Sequence, residues 1–202
     1  MAMCDHEYKF TVVDVGAFGS NCDAGVLSKS IFGKALYDGT LNIPHKTKKL
    51  PQSNINLPYF VVGDEAFQLH KNVMRPYPGR FLSNDKNIFN YRLSRARRVI
   101  ENAFDILVSK WRILRHPICA HPSTVDRIVT ACIFLHNFLM TENAKQPACE
   151  QTYCSSNFID HDDDMRRTIP GIWSDEMSNI EGLGSTSAHR ATREAYENNE
   201  KL

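Results

Sequence analysis

Two acidic residues, Asp64 and Glu101, have the side chains and sequence contexts that metal-dependent phosphodiester chemistry needs. Asp64 ends a short apolar run over residues 59–63, which follows Pro58 and is typical of a buried strand. Glu101 lies further along, within a strongly periodic helical segment. A carboxylate at a strand end and another on a helix can converge on one divalent cation. The pair therefore indicates a metal-assisted reaction.

Both residues also have a plainer interpretation, which the sequence leaves open. Asp64 could simply turn the chain after its strand. Glu101 could pair with Arg97 or Arg98, four and three residues before it, as an ordinary helix-surface partner.

Asp23 is a third candidate, because it follows a Gly-Ser loop after a predicted strand over residues 8–15. It is either a metal ligand or the N-cap of a helix over residues 24–37. Asp14 lies inside the strand and could face either side of it.

The segment from about residue 90 to residue 112 is the clearest structural element, and it predicts a helix. Its apolar residues recur at helical spacing: Leu93, Ala96, Val99, Ile100, Ala103, Phe104, Leu107, Val108 and Trp111. Glu101 falls at the margin of this apolar face. After Pro117, Ser123 or Thr124 could cap a second helix.

The other segments carry weaker patterns. Residues 38–58 contain Gly and Pro among polar residues and predict a long loop. A turn or short helix is expected over residues 65–74. On the second helix, we expect His136 and Asn137 to form a satisfied polar pair in a core rather than to supply a catalytic base.

Charge is divided unevenly along the chain. Residues 1–141 hold 18 Lys and Arg against 11 Asp and Glu, whereas residues 142–202 hold 6 against 12. The periodic helix is especially basic, and Arg92, Arg95 and Arg98 are candidates for contacts with phosphates. Such a run of basic residues more often marks a helix face that is exposed to solvent.

Composition narrows the class of protein. A chain of 202 residues with 42% hydrophobic residues is typical of a globular protein, and no apolar stretch predicts a membrane span. The N-terminus lacks a signal-peptide pattern, and the six cysteines form no C-x-x-C pair. We expect an intracellular α/β domain over residues 1–141. The acidic residues 142–202 are expected to be a largely disordered, irregular tail with a short helix near residues 188–199.

A set of short motifs runs in order through residues 1–141. It comprises Tyr8-Lys9-Phe10, Val13-Asp14-Val15-Gly16, Gly19-Ser20 with Asp23, Gly63-Asp64-Glu65-Ala66-Phe67 with Leu69, Pro76-Tyr77, Phe89-Asn90, Leu93-Ser94, Ala96-Arg97, Glu101 with Ala103-Phe104, Trp111-Arg112-Ile113-Leu114 and Leu135-His136-Asn137. This ordered set resembles the transposase-derived nucleases of the PIF/Harbinger group.

The resemblance implies an RNase H-like α/β fold and DDE-type chemistry. In that family an Asp-Asp-Glu set and a further acid hold Mg²⁺ or Mn²⁺ for cleavage or transfer of DNA phosphodiester bonds. Asp64 matches the second acid, Glu101 the third, and Asp23 the additional metal-associated Asp. The resemblance also implies that the protein acts on DNA together with a separate Myb-like DNA-binding protein. It implies a nuclear location, with the cytoplasm as a second compartment.

The family's first Asp lies on an opening strand upstream of the segment that matches residues 8–15, so it has no counterpart here. We therefore expect an RNase H-like domain that lacks its opening strands and leaves neighbouring strands unpaired. Two interpretations stay open. One is a DDE-type nuclease whose activity suffers from the missing acid, and the other is a non-catalytic DNA- or protein-binding remnant.

Overall fold

The computed structural model describes residues 1–44, 47–49, 54–155, 157–162 and 168–173, which form a mixed α/β structure. The strands are β1 (Ala2–Cys4), β2 (Phe10–Val13), β3 (Lys48–Lys49), β4 (Asn56–Leu57), β5 (Val61–Val62), β6 (Val73–Met74), β7 (His161–Asp162) and β8 (Thr168–Ile169). The helices are α1 (Asp23–Lys29), α2 (Ile31–Tyr37), α3 (Asn84–Lys110) and α4 (Pro122–Ala144). Short 3₁₀ turns cover Arg112–Arg115 and Ala148–Glu150.

The strands of the described residues pair two by two. β1 runs antiparallel to β2, with Ala2 opposite Val13, and β5 runs parallel to β6, with Val61 opposite Val73. β3 with β4 and β7 with β8 form two further antiparallel pairs. The predicted α/β class is confirmed, and strands are present in both regions where apolar runs predicted them.

Helix α3 is the longest element, with 27 residues, and it packs against β1, β5 and α4. The predicted periodic helix is therefore confirmed, although it begins earlier than expected. Leu93, Ala103 and Leu107 are buried as the pattern predicted, whereas Phe104 is 42% exposed. Among the described residues, no helix is long and apolar enough to cross a membrane.

The predicted helix over residues 24–37 is in fact two helices, because Ser30 interrupts it. The Ser30 backbone is extended, and its hydroxyl donates to the Leu27 carbonyl at 2.7 Å. The same oxygen accepts from the Gly33 amide at 2.8 Å and so caps α2. A Cβ at Gly33 would lie 1.7 Å from the Leu27 oxygen, so the break requires glycine there.

Two other boundaries differ from the sequence-based expectation. The second long helix, α4, begins at Pro122, and its N-cap is His121 rather than Ser123 or Thr124. Proline suits the first position of a helix because its missing amide hydrogen would have no partner there. Residues 73–74 form β6, where a turn or short helix was expected, and residues 48–49 and 56–57 pair inside the predicted loop.

The core consists of two hydrophobic clusters. The first joins Phe10 of β2 to Ala103 and Leu107 of α3 and to Cys132 and Ile133 of α4. The second is built from residues on α3, on α4 and beyond α4: Ile106, Met140, Cys154 and Phe158.

The second cluster includes residues of the predicted tail, which covers residues 142–202. In the described part of that range, Cys154 and Phe158 are buried against the helices. Most of the remaining range, including the helix predicted near residues 188–199, lies outside the described residues. The domain boundary after residue 141 therefore stays a prediction.

His136 and Asn137 of α4 tie this helix to the start of β2. Asn137 donates to the Phe10 carbonyl and accepts from the Phe10 amide, both at 2.8 Å. His136 Nε2 lies 2.9 Å from the Tyr8 carbonyl oxygen, which can only accept, so Nε2 carries the proton. The expected satisfied polar pair is confirmed.

The other imidazole nitrogen is also satisfied. His136 Nδ1 lies 2.9 Å from the Tyr153 hydroxyl, which accepts in turn from Trp111 Nε1 at 3.2 Å. Burial raises the pKa of Tyr153 to about 12, so the hydroxyl is protonated and donates to Nδ1. Burial lowers the pKa of His136, and the network therefore requires the neutral imidazole.

We predict that acid weakens the fold through His136. The folded-state pKa lies below the ordinary value, so only the unfolded chain takes up this proton as the pH first falls below about 6.5. The stability that the neutral imidazole contributes is therefore present above that pH and is lost below it. Urea unfolding at pH 7.5 and pH 5.5 measures the effect.

His136→Gln should cost roughly 1–3 kcal/mol at pH 7.5, because buried partners lose their hydrogen bonds. It should also reduce the difference between the two pH values. His6→Gln, at an exposed position, is the matched control. Equal pH dependence of wild type and His136→Gln would contradict the prediction.

Candidate metal and nucleic-acid site

Asp64 lies just after β5, in a turn that its own side chain helps to form. Its Oδ1 accepts a hydrogen bond from the Ala66 amide at 2.9 Å. A Cβ at Gly63 would lie 2.7 Å from the Phe67 ring, so the loop can fold back only over glycine. Arg75 holds the same loop by donating to the Phe67 carbonyl at 3.2 Å. Asp64 therefore turns the chain, as the plainer interpretation predicted. Its Oδ2 has a different partner.

That partner is Arg97, which also contacts Glu101. Asp64 Oδ2 and Glu101 Oε1 lie 3.9 and 3.8 Å from the same guanidinium nitrogen of Arg97. The two carboxylate oxygens are thus separated by no more than the sum of these distances. The structure brings the strand-end Asp and the helix Glu to one place, with a positive charge between them.

The two ion pairs are loose, since both separations exceed normal hydrogen-bond lengths. Arg97 and Glu101 lie one helical turn apart on α3, so their pairing was foreseeable from the sequence. The contact between Arg97 and Asp64 was not, because it requires β5 to pack on α3. Arg97 is the residue of this site whose role sequence reasoning missed.

The chemistry of Asp64 and Glu101 suits a hard divalent cation. Mg²⁺ prefers oxygen ligands and is commonly held by one or two carboxylates together with waters and phosphates. The side chains of Asp64 and Glu101 are 32% and 59% exposed, so both are open to solvent. Across the described ranges, no group of three His, Cys, Asp or Glu side chains could hold a metal ion. The pair would offer a divalent cation two carboxylates, and the Arg97 guanidinium lies within 4 Å of both.

Asp23 is the first residue of α1 and is exposed. The N-cap is Cys22, so the expectation that Asp23 caps the helix is wrong. A carboxylate in the first helical turn still interacts favourably with the helix dipole. Asp23 belongs to no three-ligand group among the described residues, and its role as a ligand stays a prediction.

Arg92, Arg95 and Arg98 recur every three residues along α3, which places them near one strip of the helix surface. Arg92 and Arg95 are exposed, and Arg98 is half-buried. The guanidinium of Arg95 lies 5.9 Å from the centre of the Tyr91 ring. Accessible cations of this kind can contact phosphates, and the solvated-face interpretation stays open beside that one.

Asp14 has a different neighbourhood from the other candidate acids. It follows β2 and lines a cavity of about 450 Å³ together with Asp126 of α4. Asp126 approaches the backbone at Gly16, where a Cβ would lie 3.5 Å from either carboxylate oxygen. Asp14 thus faces α4 rather than the pair at Arg97.

Residues 1–137 match the family described as DDE superfamily endonuclease. The chain belongs to this family. Domains of the DDE superfamily generally use divalent metals, in keeping with the carboxylates at Arg97.

A curated relative of this DDE-family chain is Protein ALP1-like from Arabidopsis thaliana, which is 32% identical over 142 residues. The alignment covers 69% of this chain and 34% of the relative, so the chain spans about a third of the relative's length. No solved structure matches the chain.

We predict that Arg97→Gln strengthens divalent-cation binding at Asp64 and Glu101. Removing a positive charge about 4 Å from both carboxylates relieves its repulsion of a cation, which in a solvated site should raise affinity roughly three- to tenfold. Titration with Mn²⁺, followed by electron paramagnetic resonance of the free ion, gives the dissociation constant.

Arg92→Gln provides the matched control, since it removes an equal charge from an exposed position on the same helix. It should leave Mn²⁺ affinity nearly unchanged. Weaker Mn²⁺ binding by Arg97→Gln than by Arg92→Gln would mean that Arg97 organises the carboxylates more than it repels the metal.

Proposed function

We propose that this DDE-family protein is a transposase-derived nuclease of the PIF/Harbinger type, with an RNase H-like fold. Its reaction would be divalent-metal-dependent hydrolysis of DNA phosphodiester bonds. The observation that carries the proposal is the approach of Asp64 and Glu101 to one Arg97 nitrogen. Family membership over residues 1–137 supports the reaction class.

In this mechanism Asp64 and Glu101 would hold Mg²⁺ or Mn²⁺ as ligands and would not act as general bases. Asp23 is proposed as a further metal-associated acid, although the described structure does not group it with them. A bound divalent ion supplies activation of water and stabilisation of the departing oxygen. Asp64 suits ligation because its Oδ1 is held by the Ala66 amide and its position is therefore restricted.

Arg97 has two consecutive tasks in this proposal. Before metal binds, its guanidinium offsets the mutual repulsion of Asp64 and Glu101, since it lies within 4 Å of both. With a cation held by the two carboxylates, Arg97 would instead bind a phosphate oxygen, which guanidinium groups bind well. Arg92, Arg95 and Arg98 would bind the DNA backbone without reading its sequence.

A non-catalytic role in binding DNA or protein is the second candidate. It is favoured by the ion pairs that neutralise Asp64 and Glu101, and by the lack of a third converging acid in the described residues. In either case we propose a nuclear protein that acts on DNA beside a Myb-like DNA-binding partner, with the cytoplasm as a second location.

The nuclease proposal predicts Mn²⁺-dependent nicking of supercoiled plasmid by the purified chain. Asp64→Asn and Glu101→Gln should each lower the nicking rate by about a hundredfold or more, because each removes both charge and a ligand from the metal. Glu65→Gln, which alters an exposed acid next to Asp64, should retain activity. Gel assays with and without chelator measure the rates.

If both substituted proteins nick plasmid as fast as wild type, the assignment of these acids is wrong. If the wild type does not nick plasmid but retains DNA, the non-catalytic candidate is supported instead.

The DNA-contact proposal predicts a smaller salt dependence when Arg92, Arg95 and Arg98 are all changed to Gln. Each lost phosphate contact should reduce the slope of log affinity against log salt by about 0.9. Fluorescence anisotropy with a labelled duplex at several salt concentrations gives this slope. Changing Lys34, Lys48 and Lys49 to Gln removes equal charge from exposed positions elsewhere. Identical slopes for the two triple variants would exclude a specific role for the arginines.

A further inference from the structure

The loop over residues 76–82, which leads into α3, carries the most exposed large apolar side chain of the described residues. Phe81 has a relative exposure of 103%, so its ring is fully open to water. Its backbone φ is +60°, in the left-handed region that bulky residues rarely adopt. Single exposed apolar residues are common on protein surfaces, but they rarely combine with such a backbone. Strained conformations of this kind cluster at binding sites.

The loop is fixed to the first turns of α3 by two side chains. Asn90 donates to the Tyr77 carbonyl at 3.0 Å and accepts from the Tyr77 amide at 2.8 Å. Asn87 donates to the Leu82 carbonyl at 3.0 Å. Both ends of the loop are therefore anchored, and the exposed ring between them is held out from the surface instead of folding onto it.

The surroundings of the ring are cationic. Arg80, the residue before it, is exposed, and the ammonium of the exposed Lys86 lies 5.1 Å from the centre of the Tyr77 ring. Residues 75–98 hold seven Lys and Arg against a single acid, Asp85. A charge of this sign favours a polyanion as the partner. Proteins that bind unpaired nucleic acid combine cations for the phosphates with aromatic rings on which bases stack.

We propose that Phe81 stacks on an unstacked base of DNA bound along α3, while Arg80 and Lys86 contact the neighbouring phosphates. This contact rests on the proposed function, in which three arginines of α3 bind the DNA backbone. Apolar side chains enter a base stack where unstacking costs little, as at an unpaired or distorted position. Phe81 would therefore give the protein a preference for distorted DNA, which contacts with the backbone alone do not provide.

The length of α3 sets the distance between this contact and the candidate metal site. From Asn84, the first residue of α3, to Glu101 the helix rises about 25 Å. Successive base pairs of DNA are about 3.4 Å apart, so this rise corresponds to about seven base pairs. The unstacked base would consequently lie at least about seven base pairs from a phosphate held at Asp64 and Glu101.

Two labelled duplexes of one sequence test the contact, one fully paired and one with a single unpaired adenine. Fluorescence anisotropy in the presence of chelator keeps the measurement independent of metal and cleavage. The wild type should bind the duplex with the unpaired base at least about fivefold more tightly. Phe81→Ala should bind the two duplexes equally. Phe134→Ala removes a ring that is 70% exposed on α4, and this control should keep the wild-type preference.

Two further substitutions separate stacking from a structural role of the ring. Phe81→Trp should keep the preference, and its indole fluorescence should fall when the unpaired base binds, beyond any change in the wild type. Phe81→Gly should lose the preference without a lower melting temperature, because glycine adopts a positive φ without strain.

Equal affinity of the wild type for the two duplexes, or an unchanged preference in Phe81→Ala, would overturn the stacking contact and leave the backbone and metal assignments intact. Binding of neither duplex would overturn the DNA-contact proposal together with it. Self-association of the wild type that Phe81→Ala abolishes would assign the ring to a protein contact, which also overturns stacking on DNA.

Discussion

The contact of α4 with the first hairpin is the constraint on which the arrangement of the other elements depends. Asn137 satisfies both backbone groups of Phe10, and His136 holds the Tyr8 carbonyl, across 127 or more positions of sequence. Phe10 then lies in the core formed with α3 and α4. Because β1 pairs with β2 and packs on α3, this contact also positions the β1–β2 pair beside α3. A half-buried amide and a buried imidazole thus connect α4 with the segment that enters β2.

Several motif residues that carry the family resemblance hold backbone in place. Asn90 repeats the chemistry of Asn137, since it donates to the Tyr77 carbonyl at 3.0 Å and accepts from the Tyr77 amide at 2.8 Å. Gly63 leaves room for the Phe67 ring beside Asp64. These roles require particular side chains for geometric reasons alone. The resemblance is consequently strong evidence for a shared scaffold and weaker evidence for a working reaction.

Sequence patterns predicted the features that depend on local periodicity, namely α3, α4 and the apolar runs that contain β2 and β5. They did not predict the interruption at Ser30, where a side chain competes with the helix for backbone hydrogen bonds. They also missed β6, whose two residues gain strand geometry only from pairing with β5. The contact between Arg97 and Asp64 could not be predicted either, because it depends on tertiary packing between distant segments.

Arg97 connects the candidate metal site with the packing of β5 on α3, because its guanidinium contacts Asp64 just after β5 as well as Glu101 on its own helix. Displacing the guanidinium would leave two carboxylates to repel each other, which favours their binding of a divalent cation. Occupying it in a new hydrogen bond would have the same effect on the pair. The position of β5 on α3 and the charge at the two carboxylates are therefore physically coupled through one side chain.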